Sequence, residues 1–96
     1  MERELIAITQ YCIQYNIEPS FISALEESGI IILTNVGEEK FMYASQLSEI
    51  DKYIHFYYDL EINIEGIDAI RHLLQKVREM QEEIQLLKKQ LHLHQP

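Results

Sequence analysis

The stretch PSFISALEESGIIILTNVGEEKFMY, residues 19–43, contains the two elements on which the predicted fold depends. Its first part has the form of a short helix, because proline suits the first turn of a helix and Gly29 stops the helical pattern. The second part predicts a β-hairpin, in which Ile30 to Thr34 pairs with Lys40 to Tyr43 around a turn at Gly37. The stretch therefore predicts a helix that runs directly into a wing-like hairpin.

The neighbouring segments complete this pattern. ELIAI (residues 4–8) is short and apolar, which predicts a first strand that joins the hairpin as a third. ITQYCIQYN (residues 8–16) predicts a helix from Gln10 to Tyr15 with Thr9 as its N-cap. Beyond the hairpin, a further helix is predicted by apolar residues at helical spacing, namely Leu47, Ile50, Ile54 and Tyr57. Residues 1–62 are therefore expected to form a winged helix-turn-helix domain, mainly α with a small β-sheet.

The C-terminal segment, residues 63–96, is the most regular part of the chain. Asn63 is expected to cap a helix from Ile64 to about Leu93, which would be roughly 45 Å long, far more than a small domain covers. Its apolar residues alternate in steps of three and four, the a and d pattern of a heptad repeat. We expect the proximal ones to pack on the domain, namely Ile67, Ile70, Leu73 and Leu74. The distal ones are expected to form a homodimeric coiled coil, namely Val77, Met80, Ile84, Leu87 and Leu91.

The heptad pattern leaves two alternatives open. The distal half could instead fold back on its own domain or bind a different protein. In a dimer, Glu83 at a g position would face Lys88 at an e position of a parallel partner, but an exposed pair contributes only a few tenths of a kcal/mol. The pattern therefore does not decide between a parallel and an antiparallel dimer.

Acidic charge is concentrated in the part of the chain predicted to be globular. The formal net charge is −8, and residues 1–60 hold three basic side chains against ten acidic ones. The helix at residues 19–28, which would enter the major groove in a DNA-binding protein, has two glutamates and no Lys or Arg. The wing carries Glu38 and Glu39 against a single Lys40. This charge argues against nucleic acid and anionic membranes as partners and favours a basic protein surface, unless it only keeps a small protein in solution.

The sequence has no pattern typical of an enzyme, a metal site or a cofactor site. Its single cysteine, Cys12, excludes an intramolecular disulfide and a thiolate zinc site, and lies among apolar neighbours. The three glycines are scattered, so no phosphate-binding loop is formed, and the four histidines have no metal-ligand spacing. We therefore expect a non-catalytic protein without cofactor or metal. Since no signal peptide and no long apolar run is recognisable, we expect a cytoplasmic protein.

Aromatic and acidic residues cluster on the helix after the wing and at its exit. Tyrosines bordered by carboxylates bind Lys- and Arg-rich partners through cation–π contacts, hydrogen bonds and ion pairs. We therefore predict a partner-binding surface formed by Glu49, Asp51, Tyr53, Tyr58, Asp59 and Glu61. The alternative is that Phe56 and Tyr57 belong to the core and the other aromatic residues only line the joint with the long helix. The next candidate for a partner site is the helix with Glu26 and Glu27.

Short matches along nearly the whole chain resemble known families. INIEGIDAIRHLL (residues 62–74) resembles the turn into the last helix of MerR-type regulators, and the order of elements resembles their N-terminal domain. More specifically, the chain resembles the chaperone-modulator family CbpM in ITQYCIQYNIEP (8–19), LEESGII (25–31) and YYDLEINIEGIDAI (57–70), followed by a heptad helix. Where that family usually has an aromatic-proline pair before the glycine of the last helix, this chain has Ile64 and Glu65.

The resemblance implies a small acidic protein with a MerR-like winged helix-turn-helix. It also implies binding to the J-domain of a DnaJ-like co-chaperone of the CbpA type, which blocks the engagement of that J-domain with Hsp70. J-domains engage Hsp70 through a basic helix, which an acidic surface would occupy. The alternative function is that of a MerR-like DNA-binding transcriptional regulator. Its basic residues would then have to come from the last helix, where they cluster at Arg71, Lys76, Arg78, Lys88 and Lys89.

Overall fold

A computed structural model describes residues 4–93 of the protein. The elements are, in order, β1 (Leu5–Ala7), α1 (Ile8–Tyr15), α2 (Pro19–Glu27), β2 (Thr34–Val36), β3 (Glu39–Tyr43), a 3-10 turn (Ala44–Gln46), α3 (Leu47–Ile54), a π-helical turn (His55–Asp59) and α4 (Ile64–Leu93). The described chain is thus mainly helical, with a small antiparallel sheet and a long C-terminal helix. This confirms the predicted fold class.

The central strand of the sheet is β3, which pairs with both other strands in the order β1-β3-β2. Ile6 of β1 lies opposite Met42, and Asn35 of β2 lies opposite Lys40. Gly37, in the turn between β2 and β3, has a φ of 66°, a left-handed conformation that glycine adopts without steric cost. The predicted third strand and the predicted turn at Gly37 are therefore confirmed.

The first arm of the hairpin is shorter than predicted. β2 begins only at Thr34, whereas Ile30, Ile31 and Leu33 are buried in an irregular segment before it. The backbone N–H groups of Ile30 and Ile31 donate to the carbonyl oxygen of Leu25, at 2.9 and 3.4 Å, and so close the end of α2. Because these N–H groups are used there and the side chains enter the core, the segment does not join the sheet. The predicted strand is therefore wrong except at its last residue.

Helices α1 and α2 form the helix-turn-helix pair. α1 begins at Ile8, earlier than predicted and without a side-chain cap, so Thr9 is not its N-cap. It ends at Asn16, whose φ of 56° is a left-handed conformation that asparagine tolerates at a helix C-terminus. In α2 the predicted inward face is confirmed, since the buried residues are Phe21, Ile22 and Leu25.

The core is built from side chains of nearly every element. The largest fully buried ones are Ile22, Leu25, Met42, Ile50 and Ile67, which come from α2, β3, α3 and α4. Burial of each such side chain contributes about 1.5–3 kcal/mol to folding. α4 contributes only Ile67 to this set, so most of that helix has no part in the core.

α4 lies against the domain only in its N-terminal half. Ile67 is buried and Ile70 half-buried, whereas Leu73 and Leu74 are exposed, Leu73 by 62%. The prediction that Leu73 and Leu74 pack on the domain is therefore wrong, because in this part of α4 other residues, namely Arg71, Gln75 and Arg78, face α3. The described chain measures 62 × 32 × 21 Å, and α4 accounts for its elongated shape.

The start of α4 lies where the sequence predicts it. Asn63 Oδ1 accepts a hydrogen bond of 2.8 Å from the backbone N–H of Gly66, which confirms the predicted cap. Residues 94–96, at the end of the predicted C-terminal segment, lie outside the described residues. The division of the chain into a globular and a dimerising unit stays a prediction. Across residues 4–93, no helix combines the length and the apolar character needed to cross a membrane.

Candidate functional site

The exposed surface of the helix-turn-helix carries no free positive charge in the described part of the chain. α2 turns its apolar face to the core and leaves Ser20, Ser23 and Glu27 at the surface. Lys40 of the wing binds Glu26 of α2 through its Nζ atom. Because this pair is partly exposed, it contributes at most about 1 kcal/mol to stability, but it cancels the positive charge of the wing.

The other lysine of the globular part is paired in the same way. Lys52 Nζ lies 3.2 Å from Glu49 Oε1, one turn apart on α3. Residues 4–62 contain these two lysines and ten carboxylates, so most of the acidic side chains have no basic residue of that stretch to neutralise them. A phosphate backbone would meet repulsion here, whereas a basic protein surface would be attracted.

The π-helical turn His55–Asp59 brings Tyr57 and Tyr58 together at the exit of α3. Both rings pack against Phe21 of α2: Tyr57 stacks on it with centroids 4.4 Å apart, and Tyr58 meets it edge-on at 5.6 Å. The two tyrosine rings lie 5.1 Å from each other with their planes at 82°. Each tyrosine is 37% exposed. Part of each ring therefore rests on the core while the rest faces solvent.

Tyr57 is a surface residue that the sequence reasoning missed. In an α-helix, Tyr57 would follow Ile50 and Ile54 on the buried face. The wider π-helical turn changes the angular position of the residues after Ile54 and places Tyr57 beside Tyr58 at the surface. Phe56, by contrast, is only partly exposed and packs against the core. The only signal in the sequence was the aromatic run at residues 56–58, because periodicity assigns Tyr57 to the interior.

An open pocket of about 420 Å³ lies beside the two rings, lined by Tyr57, Tyr58, Glu61, Ile62 and Asn63. We call it the tyrosine pocket. Glu61 has a φ of 55°, a left-handed backbone conformation that is uncommon outside glycine and asparagine. Tyr58 Oη accepts a hydrogen bond of 3.0 Å from the backbone N–H of Glu18, which ties the pocket to the start of α2. The tyrosine pocket is thus aromatic, acidic and held by two elements.

Tyr53, predicted to lie in the partner surface, is buried, with 4% of its area exposed. Its Oη donates a hydrogen bond of 2.8 Å to Glu49 Oε2. Burial, together with this carboxylate, raises the pKa of Tyr53 to about 12. The same hydrogen bond lowers the pKa of Glu49, against the opposing effect of burial. Tyr53 follows Ile50 by three residues and shares its inward face, so its assignment to the partner surface is wrong.

The predicted carboxylates lie in separate places. Glu49 faces α4, whereas Asp51, about 200° further round the helix, accepts a hydrogen bond of 3.3 Å from Tyr11 Oη of α1. Asp59 Oδ2 lies 2.7 Å from His55 Nδ1. Of the six residues predicted for the partner surface, Tyr58 and Glu61 line the tyrosine pocket, Glu49 and Tyr53 line a different site, and Asp59 adjoins Tyr58 in the chain.

A second concave site, of about 410 Å³, lies between α3 and α4. Glu49 and Tyr53 form its α3 wall, and Arg71 and Arg78 lie on its α4 wall. Arg71 Nη2 binds Asp68 at 2.9 Å, while its Nε atom is buried without a hydrogen-bond partner. The walls carry opposite charges, so this cleft lacks the uniform sign that would select a basic or an acidic ligand.

Beyond Ile70, α4 presents an apolar stripe to solvent. The residues predicted for the dimer seam are all between 47% and 62% exposed, namely Val77, Met80, Ile84, Leu87 and Leu91. Long exposed apolar stripes mark interaction surfaces. The predicted seam is therefore accessible to a second helix, and its pairing stays a prediction.

Within residues 4–93, no group of three or more His, Cys, Asp or Glu side chains is arranged to hold a metal ion. Cys12 is buried, and burial raises the pKa of its thiol. A thiol of this kind is a packing residue and not a nucleophile.

A family model described as MerR HTH family regulatory protein matches residues 6–89. The match spans the helix-turn-helix, the wing and most of α4. No curated protein and no solved structure matches the chain significantly. The family model thus agrees with the architecture and leaves the partner open.

Proposed function

The chain belongs to the MerR HTH family of regulatory proteins, and from this premise we propose that it is a non-catalytic chaperone modulator of the CbpM type. In this proposal it binds the J-domain of a DnaJ-like co-chaperone of the CbpA type and blocks the engagement of that J-domain with Hsp70. It does so as a cytoplasmic protein without metal or cofactor. Its partner is a protein, not a nucleic acid or a membrane.

The observation that carries the proposal is the charge of the surface that DNA-binding relatives of this architecture use. The wing lysine, Lys40, is bound by Glu26, and the exposed side of α2 offers only hydroxyls and Glu27. Binding to DNA requires Lys or Arg side chains that displace the counterions of the phosphates, and α2 and the wing carry no such side chain that is not already paired. The fold of a DNA reader is here combined with a surface suited to a cationic partner.

A basic helix is the partner element that this surface fits. An acidic field steers a basic helix towards it and raises the association rate, and this effect weakens with salt. The basic helix of a J-domain has the required charge, and a protein bound to that helix excludes Hsp70 from it. The resemblance to CbpM in stretches such as LEESGII (residues 25–31) supports this choice among basic partners.

We propose in addition that the protein is a homodimer. The exposed stripe of α4 repeats with heptad spacing, and a second copy would bury it along several turns. A dimer presents two acidic units and so two sites for J-domains. A heterologous helix on the same stripe is the competing possibility, and the oligomeric state of the purified protein distinguishes the two.

Calorimetric titration with the isolated J-domain of a CbpA-type co-chaperone tests the proposal. We expect binding that weakens markedly between 0.1 M and 1 M salt, since the screening length falls from about 10 Å to about 3 Å. The matched control is the same J-domain with the Lys and Arg residues of its basic helix changed to Gln, which is expected not to bind. The modulator should also reduce the stimulation of Hsp70 ATPase by the full co-chaperone. A native J-domain that does not bind at 0.1 M salt contradicts the proposal.

The second candidate function is that of a DNA-binding transcriptional regulator, and the family match favours it. Its difficulty is the position of the basic residues, which lie on α4 and not on the helix-turn-helix. Two of them are already engaged, Arg71 with Asp68 and Arg78 with Gln75. A mobility-shift assay with genomic fragments at low salt decides the matter, because tight, sequence-selective binding would put this function first.

A further inference from the structure

Two uncommon backbone conformations flank the tyrosine pocket. The π-helical turn ends at Asp59, and Glu61, two residues later, is left-handed. The backbone N–H of Ile62 donates to the carbonyl oxygen of Phe56 at 2.9 Å, so Glu61 occupies the position after a helix end where glycine is usual. A glutamate costs free energy there that glycine would not, and residues held in such conformations cluster at functional sites. This conformation makes Glu61 a candidate functional residue.

The chemistry of the tyrosine pocket selects a cation. Its lining combines two aromatic rings, one carboxylate, an apolar side chain and an amide, and it includes no basic residue. The faces of aromatic rings attract ammonium and guanidinium groups. An anion would be repelled by Glu61, and an apolar group would desolvate that carboxylate without compensation. A long side chain with an apolar stem and a charged end satisfies all of these surfaces, and both Lys and Arg are of this kind.

The rings are also held in place before any ligand arrives. The core residue Phe21 packs against both tyrosine rings, and the hydroxyl of Tyr58 is held by a hydrogen bond from the backbone N–H of Glu18. That hydroxyl accepts this bond and keeps its own proton to donate. Because the rings lose little conformational freedom on binding, the pocket can bind one side chain at low entropic cost.

We propose that the tyrosine pocket receives a single Lys or Arg side chain of the protein partner, against the exposed parts of the Tyr57 and Tyr58 rings and the carboxylate of Glu61. The identity of the partner rests on the proposed function, whereas the chemistry of the pocket does not. One residue of the partner would then contribute more to the binding affinity than its neighbours do. On a diffuse acidic surface, the contributions would be spread over many residues.

Glu61→Gly provides the sharpest test, because the two possible roles of Glu61 predict different results. Glycine relieves the left-handed backbone, so the variant is expected to unfold at a higher temperature than the wild type. Loss of the carboxylate is expected to weaken binding of the J-domain about 3- to 30-fold, the range of a cation–π site with its ionic partner. A residue with a purely structural role would change stability and affinity in the same direction.

Two further variants complete the test. Glu61→Gln keeps the shape of the side chain and removes its charge, and is expected to weaken binding by a similar factor. The matched control is Glu82→Gln, which removes one negative charge from an exposed position of α4 and is expected to leave affinity within about twofold, as distant exposed charges do. If both Glu61 variants bind the J-domain as tightly as the wild type, the pocket proposal is overturned and the proposed function stands.

A probe without a J-domain separates the two proposals. A short peptide of alternating lysine and alanine, titrated into the full-length protein, is expected to shift the ring proton signals of Tyr57 and Tyr58 in NMR spectra, and Glu61→Gly is expected to reduce these shifts. If the J-domain fails to bind while the peptide shifts the rings, the proposed function fails and the pocket stands. If the peptide leaves both rings unaffected, the pocket proposal fails.

Discussion

The phenol of Tyr53 donates a hydrogen bond of 2.8 Å to the carboxylate of Glu49, one helical turn earlier on α3. Tyr53 is buried, and Glu49 lies on the cleft that faces Arg71 and Arg78 of α4. Glu49, which the sequence assigns to a partner surface, thus accepts the hydrogen bond of a buried tyrosine hydroxyl. Substitutions of Glu49 will consequently report on folding as well as on binding.

Glu49→Lys is expected to destabilise the protein by about 1–3 kcal/mol, because it leaves the buried Tyr53 hydroxyl without its acceptor. Urea unfolding followed by circular dichroism measures the difference. Glu38→Lys, which makes the same charge change at an exposed position of the wing, serves as the control and should cost well under 1 kcal/mol. Equal unfolding midpoints for the two variants would show that the bond contributes nothing.

Alkaline pH should unfold the protein through its buried tyrosines. Burial, aided by Asp51 and by Glu49 respectively, raises the pKa of Tyr11 and of Tyr53 from 10.0 to about 12. The folded chain therefore keeps these protons to higher pH than the unfolded chain does. Stability is unaffected by them below pH 10 and falls as the pH rises from 10 towards about 12. Urea titrations across this range should show a smaller loss in the double variant Tyr11→Phe and Tyr53→Phe.

Gly66→Ala is expected to destabilise the start of α4 by about 1–3 kcal/mol, although alanine favours helices over glycine. A Cβ atom there would lie 2.7 Å from Ile62 Cγ2 and 3.0 Å from the capping Asn63 Oδ1. Thermal unfolding measures the effect. Ile62→Ala removes the closest atom. In its presence, Gly66→Ala should therefore reduce the stability less than it does in the wild type. If the stability changes of the two substitutions simply add in the double variant, Ile62 does not crowd the new Cβ atom.

Ile84→Lys should convert the proposed dimer into a monomer, since it places an unpaired charge from each copy in the seam, at a cost of several kcal/mol per charge. Light scattering gives the mass. Leu86→Lys is the matched control, because Leu86 is similarly exposed on α4 but lies off the a and d positions, and this variant should remain dimeric. A monomeric wild type, or a dimeric Ile84→Lys, would assign the stripe to another partner.

Local patterns in the sequence determined most of the elements and the sign of the surface charge. The inward face of α2, the turn at Gly37 and the Asn63 cap follow from helical spacing and from the conformations that glycine and asparagine allow. These features depend on neighbours within about four residues, which the sequence shows directly. The carboxylates of α2 and the wing likewise needed no tertiary structure to be recognised.

The tertiary structure alone decided which of the patterned residues reach the surface. Tyr53 is covered, Tyr57 is exposed by the π-helical turn, and Leu73 faces solvent although Arg71 and Gln75 beside it line the cleft to α3. Ile31 leaves the predicted strand because its N–H is used by the carbonyl of Leu25. Burial depends on which distant segments come to lie against a residue, and a hydrogen bond depends on which acceptor is nearest in space. Neither is contained in the spacing of residues along one element.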